Sequence, residues 1–157
     1  KNDELIASSW DNRHILNITA GKKFKNDWEV GMKFRYVGGA PYTPYDVDRS
    51  ASIDVWDVVQ QGVFDWDQLN ALRSPASHGL DIRVDKKWYF NEWAINAYID
   101  VQNIYNFQAV GQPYLDVDRD DSGNPIIDPN NPQSYVISEI ENVSGTVLPS
   151  IGLMIDF

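Results

Sequence analysis

The stretch Ser150-Ile151-Gly152-Leu153-Met154-Ile155-Asp156-Phe157 alternates with a period of two. Ile151, Leu153, Ile155 and Phe157 fall on one face, and Ser150, Gly152, Met154 and Asp156 on the other. That periodicity belongs to a β-strand with one apolar face. The closing residues of a water-soluble domain usually fray. Here an aromatic, Phe157, occupies that place and reads as an anchor.

Working outward, four further segments repeat the pattern. Arg13 to Phe24 sets His14, Leu16, Ile18, Ala20, Lys22 and Phe24 on one face. Trp28 to Val37 opposes Trp28, Val30, Met32, Phe34 and Tyr36 to Glu29, Gly31, Lys33 and Arg35. Leu80 to Phe90 and Trp93 to Gln102 alternate likewise. Each is close to the roughly 9–11 residues that carry a tilted strand across a bilayer. The connections are short, long, short, long: Lys25-Asn26-Asp27 and Asn91-Glu92 are tight polar turns, whereas the loops at about 38–79 and 103–145 are long. Two structureless loops of that size are foreign to a compact soluble domain, and short inner turns with long outer loops are the rhythm of membrane barrels.

Aromatics gather at the strand ends. Phe24, Trp28, Trp88, Phe90, Trp93 and Phe157 mark the short-turn end, and Tyr36, Tyr105 and Phe107 the other. Amphipathic rings favour a headgroup level, so two such belts fit a membrane interface. Lys22 and Lys86 break the apolar face near the short turns, where a long side chain can snorkel outward.

Composition bounds the rest. The chain has 157 residues, 43% of them hydrophobic, 13% aromatic, with 6 Trp and 8 Tyr. Its mean hydropathy is -0.42, and it lacks the continuous apolar run of about 18 residues that a membrane-spanning helix requires. A net charge of -10 argues against nucleic acid, whose phosphates need basic stripes. The absence of cysteine leaves no thiolate chemistry and fits a protein facing the periplasm. No signal peptide precedes Lys1, so the sequence is expected to be an internal-to-C-terminal piece of a longer polypeptide.

The ending resembles the C-terminal assembly signal of bacterial outer-membrane β-barrels, with Ser150, Gly152, Ile155 and Phe157 in its four defined slots. Ser9-Trp10-Asp11-Asn12-Arg13-His14, Tyr36-Val37-Gly38-Gly39-Ala40-Pro41-Tyr42-Thr43-Pro44-Tyr45, Leu80-Asp81-Ile82-Arg83-Val84-Asp85-Lys86-Lys87-Trp88 and Val101-Gln102-Asn103-Ile104-Tyr105-Asn106 resemble the last strands of TonB-dependent outer-membrane receptors of the Bacteroidetes type. The resemblance spans nearly the whole chain. It implies an all-β fold: an antiparallel transmembrane β-barrel segment, about five C-terminal strands of a larger barrel of about 22 strands. It further implies the bacterial outer membrane as location and import of a scarce ligand driven by TonB-derived energy. The implied partners are the remainder of the barrel and its plug, the TonB complex through that plug, the barrel-assembly machinery and outer-membrane lipids.

Candidate sites follow. On the inward face, Lys33, Arg35, Asp81, Arg83, Asp85 and Asp100, together with Glu29 and Asp156, carry charges of both signs. They read either as an ion-pair ladder stiffening the wall or as contacts that hold and release a plug. The first long loop carries Tyr42, Tyr45, Trp56 and Trp66 among carboxylates, a composition suited to ligand or lid contact. Within it, Ile53 to Gln61 suggests a short helix packing Val55, Val58 and Val59 inward. Asp116-Val117-Asp118-Arg119-Asp120-Asp121 has the alternation of a calcium loop, but Asp121 takes the sixth position, where glycine is wanted, and Ile127 the twelfth, where a bidentate Glu is wanted. A solvated turn is expected instead, with no metal and no cofactor. His14 and His78 stand alone at strand starts and are expected to bond loop carbonyls; the chain is not expected to be an enzyme. The rival readings are a surface-exposed β-sandwich that binds glycans or peptides, and a passive barrel without a plug.

Overall fold

The computed structural model describes residues 5–157. The chain divides into two compact units. The first comprises Asn12–Gly38, Ala76–Ala109 and Ser144–Phe157. It is one antiparallel sheet of five strands: β1 (Ile15–Lys23), β2 (Trp28–Val37), β3 (Ser77–Tyr89), β4 (Ala94–Gln102) and β5 (Leu148–Asp156). Their spatial order is their chain order, a simple meander. Each strand lies near its expected place, but β3 begins at Ser77 rather than Leu80.

The registers sort the side chains cleanly. Ala20 stands opposite Met32, Met32 opposite Ile82, and Ile82 opposite Val101. One row further on, Val30, Val84, Ile99 and Ile151 align. One face of the sheet is therefore apolar across all five strands. The other carries Lys33 opposite Asp81 and Arg83 opposite Asp100. A one-residue slip anywhere would exchange the two faces.

Among the described residues, no second layer covers the apolar face. Ile151 is 79% and Ile99 51% exposed, and every residue of β1 is exposed. β1 and β5 are the two edges, and they do not pair with each other, so the sheet is open rather than closed into a barrel. The two tight turns hold as hairpins: the Phe24 N–H donates to the Trp28 carbonyl at 2.7 Å, and the Phe90 N–H to the Trp93 carbonyl at 2.8 Å. Asn26 and Asp27 both take positive φ, a conformation that short polar side chains tolerate best. Phe90 and Trp93 stack at 4.1 Å across the second turn.

The second unit is built from residues 5–11, Gly39–Pro75 and Val110–Val143. The two long connections are thus not structureless, in contrast to the expectation from sequence. They form short two-stranded ribbons, such as Tyr114–Val117 against Ile137–Ile140, and two helices, α1 (Val47–Ala51) and α2 (Ile53–Val59). The Asp46 carboxylate caps α1 by accepting from the Arg49 N–H at 2.9 Å, which satisfies one orphan donor of the first turn. Among the described residues of this unit, Trp56, Leu115, Val117 and Pro41 are buried apolar residues. Ser50 is wholly buried; its hydroxyl donates to the Asp46 carbonyl at 2.6 Å and accepts from the Val63 N–H at 2.9 Å. The helix expected over Ile53 to Gln61 forms, but its inward residue is Trp56. Of the three valines expected inward, Val55 is half-buried, whereas Val58 is 81% exposed and Val59 is exposed as well, because Trp56 takes the buried face of this seven-residue helix.

Candidate functional site

Three places hold the residues singled out from sequence. The polar face of the sheet is the first. Arg35 reaches Asp81 at 3.3 Å, and the other Asp81 oxygen accepts from the Asn103 N–H at 3.0 Å. Arg83 grips Asp85 through two bonds of 2.8 Å, the bidentate fork that fixes a guanidinium most firmly. Asn96 adds a third bond to that carboxylate at 3.0 Å. Lys87 passes over β4 to Asp156 at 2.8 Å; small Ala94 leaves room for that reach. The face is thus a ladder, though Arg83–Asp85 runs along one strand rather than across two. Lys33 stands opposite Asp81 in register, yet the carboxylate turns to Arg35 instead. Asp100 stands opposite Arg83.

At the end of the sheet away from the tight turns, Arg35, His78, Asp81, Asn103, Phe107 and Thr146 line an open cleft of about 390 Å³. Asn103 builds its rim. Its side chain accepts from the Phe107 N–H and donates to the Phe107 carbonyl, both at 2.8 Å, and its φ is +52°. This double clasp gives the Gln102-Asn103-Ile104-Tyr105-Asn106 segment its physical reason: an Asn tolerates positive φ while its amide imitates a backbone group. His78 does not bond a loop carbonyl as expected from sequence. Its Nδ1 lies 2.7 Å from the Tyr105 hydroxyl, and its ring lies 3.9 Å from that of Phe107. An aromatic neighbour at each side outcompetes the solvated carbonyls of the loop.

The third place is a groove of about 450 Å³ in the second unit, lined by Tyr45, Arg49, Val59, Phe64, Trp66 and Tyr114 among others. Tyr45 and Phe64 stack at 4.9 Å, and Phe64 meets Trp66 edge to face at 5.6 Å. A Cβ at Gly62 would stand 2.7 Å from the Tyr45 ring, so any larger residue there must displace the Tyr45 side chain. Burial, with a smaller contribution from Tyr114, raises the Tyr45 hydroxyl above its ordinary value, so this phenol stays neutral and can both donate and accept. Trp66 is 66% exposed. Of the four loop aromatics, Tyr45 and Trp66 come together in this groove. Tyr42 lies in the short strand Pro41–Tyr42 outside it, and Trp56, at 4% exposed, belongs to the core.

Asp116 to Pro125 forms a hairpin tip. The Asp120 carboxylate accepts from the Asn124 N–H at 2.8 Å and the Ser122 N–H at 2.9 Å, and Gly123 takes φ +84°. Asp116 accepts from the Val117 N–H at 2.8 Å. The Asp116 and Asp120 carboxylates thus serve the backbone, and among the described residues no three acidic or imidazole side chains converge on a point that could hold a metal.

Arg73 was not anticipated. It is a node of the second unit, bonding the Asp11 carboxylate at 2.9 Å and the Gly39 carbonyl at 2.7 Å. Gly39 can only be glycine, because a Cβ would fall 1.6 Å from the Ser74 carbonyl oxygen. The glycine pair Gly38-Gly39 was the legible signal of such a close approach.

Ser150, Gly152 and Ile155 lie in β5, the outermost strand, with Ser150 opposite Asp100 and Ile155 opposite Ile95; Phe157 follows the strand and is fully exposed. No family model, curated protein or solved structure matches the chain.

Proposed function

We propose that this chain is part of the wall and outer loops of an outer-membrane β-barrel transporter that captures a scarce ligand outside the cell and imports it with TonB-derived energy. The observation that carries this reading is the single-layered sheet with one continuous, uncovered apolar face and one charged face. In water, an apolar surface of that extent is foreign to a monomeric domain. In lipid it is the required outer surface, and the charged face then lines a wet lumen. The open edges of β1 and β5 carry unpaired backbone groups. Each such group costs several kcal/mol in hydrocarbon, so strands from the rest of the polypeptide complete the barrel. The aromatic groove around Tyr45 and Trp66 and the cleft beside His78 supply places for ligand contact, and the Arg35–Asp81 and Arg83–Asp85 pairs are contacts a plug can exchange. The role is binding and passage rather than catalysis.

The 157 residues contain no cysteine, so single cysteines placed in them report cleanly once any cysteine elsewhere in the full-length protein is replaced. In the membrane-embedded full-length protein, cysteines at Ile95, Ala97, Ile99 and Val101 are expected to resist an aqueous maleimide, whereas those at Asn96, Tyr98 and Asp100 react. Equal labelling of both faces defeats the barrel reading. Protection of the apolar face in protein that is soluble without detergent replaces it with a β-sandwich module that binds glycans or peptides.

A further inference from the structure

The apolar face carries only two charged side chains within the five strands, Lys22 and Lys86, and no carboxylate. Both lie toward the tight turns. The Lys22 Nζ sits 5.3 Å from the centre of the Phe24 ring. The Lys86 Nζ lies 5.8 Å from that of Trp28 and 5.4 Å from that of Trp88, and donates to the Asn26 carbonyl. Beside Lys22 the face is hollowed by a cleft of about 270 Å³. Ala20 and Gly21 form its floor, and Val30, Met32, Ile82 and Phe24 its walls. The hollow exists because Ala20 is the one short side chain in a row shared with Met32 and Ile82.

We propose that this cleft is a binding site for an anionic phospholipid. It seats a stretch of acyl chain on Ala20 while Lys22 at its edge holds the phosphate and Lys86, two strands away on the same face, adds to the positive field there. The inference rests on the barrel reading, which turns this face to lipid. Charge complementarity selects the occupant. The chain as a whole is strongly acidic, yet this part of its apolar face offers ammonium groups alone. An occupant must therefore pair an anion with an apolar tail. Rings beneath both ammonium groups hold them at the level where a headgroup begins. A zwitterionic lipid brings its own cation to the same place and loses that advantage.

The test is native mass spectrometry of the full-length protein in detergent, with phosphatidylglycerol and phosphatidylethanolamine titrated separately. The wild type is expected to retain phosphatidylglycerol preferentially. Each lysine removed should cost about fivefold of that preference, so K22Q/K86Q should abolish most of it. Ala20→Leu keeps both lysines, fills the cleft and should weaken retention by itself; it also carries the test if the double variant fails to fold. Unchanged preference in folded K22Q/K86Q or in folded A20L overturns the site, as does equal retention of the two lipids by the wild type. A protein that never partitions into membranes fails the barrel reading, and this site with it. One that inserts but shows no preference fails this site alone.

Discussion

The ring of Tyr98 lies against the backbone of Gly152, its partner in register, with no side chain between them. A Cβ at that glycine would stand 2.3 Å from the Tyr98 Cζ and 2.4 Å from its hydroxyl oxygen. The Arg83 guanidinium in turn stacks 3.9 Å from the centre of the same ring. An aromatic laid over a strand glycine restores the packing that the glycine lacks and pins the edge strand in register. The structure therefore gives Gly152 a job in the folded sheet.

Gly152→Ala forces the Tyr98 ring to swing away and breaks the Arg83 stack. The expected cost is about 1–2 kcal/mol of stability, read from urea unfolding of the reconstituted protein. In a Tyr98→Ala background the clash is gone, so the two substitutions should be strongly non-additive. An equal cost of G152A in both backgrounds would show that the ring is irrelevant.

The two tryptophans of the first long loop should separate stability from recognition. Trp56→Ala empties the core of the second unit and is expected to cost about 3–5 kcal/mol there, seen as faster hydrogen exchange through Val47–Val59. Trp66→Ala removes an exposed ring and should leave that exchange within about 0.5 kcal/mol of wild type, while weakening ligand capture. Similar exchange in the two variants would place the core elsewhere.

How far the sequence reaches is clear from these elements. Period-two alternation located all five strands and sorted their faces, because the pleat is a local property. It missed the start of β3, since Ser77, His78 and Gly79 carry no apolar signal. What it could not contain is the second unit, whose bonds join distant residues: Gln112 to Thr43 at 2.9 Å, Tyr135 to Asp57 at 3.1 Å and Arg73 to Asp11 at 2.9 Å. Trp56 and Trp66 look alike in sequence, and only the strands packed on α2 make one of them core. The Asp46 cap of α1 was legible by rule, as an Asp three residues ahead of the donor it satisfies.

Arg73 offers a sharper test of that second unit. Lysine keeps the charge but cannot serve the Asp11 carboxylate and the Gly39 carbonyl with one planar fork. Arg73→Lys is expected to cost about 1–3 kcal/mol through the acceptors left unmet, and to expose the Gly39–Pro75 segment to limited proteolysis. Proteolysis at the wild-type rate would demote the node to a surface contact.

Asp120 predicts a pH dependence. The Asn124 backbone N–H, followed by the Asn124 side chain and the Ser122 N–H, holds its carboxyl below the usual carboxylate value of 3.8. A lowered folded value means the charged form stabilises the turn. That contribution is complete above the ordinary carboxylate range and is lost as pH falls through the lower folded value. The amides of Ser122 and Asn124 should therefore shift together only below the ordinary carboxylate value, and Asp120→Asn should remove the transition. A transition at or above the ordinary carboxylate value would contradict the assignment.

Ile99 weighs water against lipid directly. It lies in mid-strand on the apolar face, half exposed in this chain, aligned with Val84 on one side and Ile151 on the other. On a sheet facing water, a lysine at so open a position is nearly neutral, within about 0.5 kcal/mol. On a sheet facing hydrocarbon it costs about 2–4 kcal/mol near the midplane, because the ammonium must be dragged from water or must distort the bilayer to reach it. Ile99→Lys in the full-length protein, refolded into vesicles and unfolded by guanidinium, therefore returns different values for the two environments. A loss above about 2 kcal/mol is expected. A near-neutral result would mean that water, and neither lipid nor a partner sheet, meets this face.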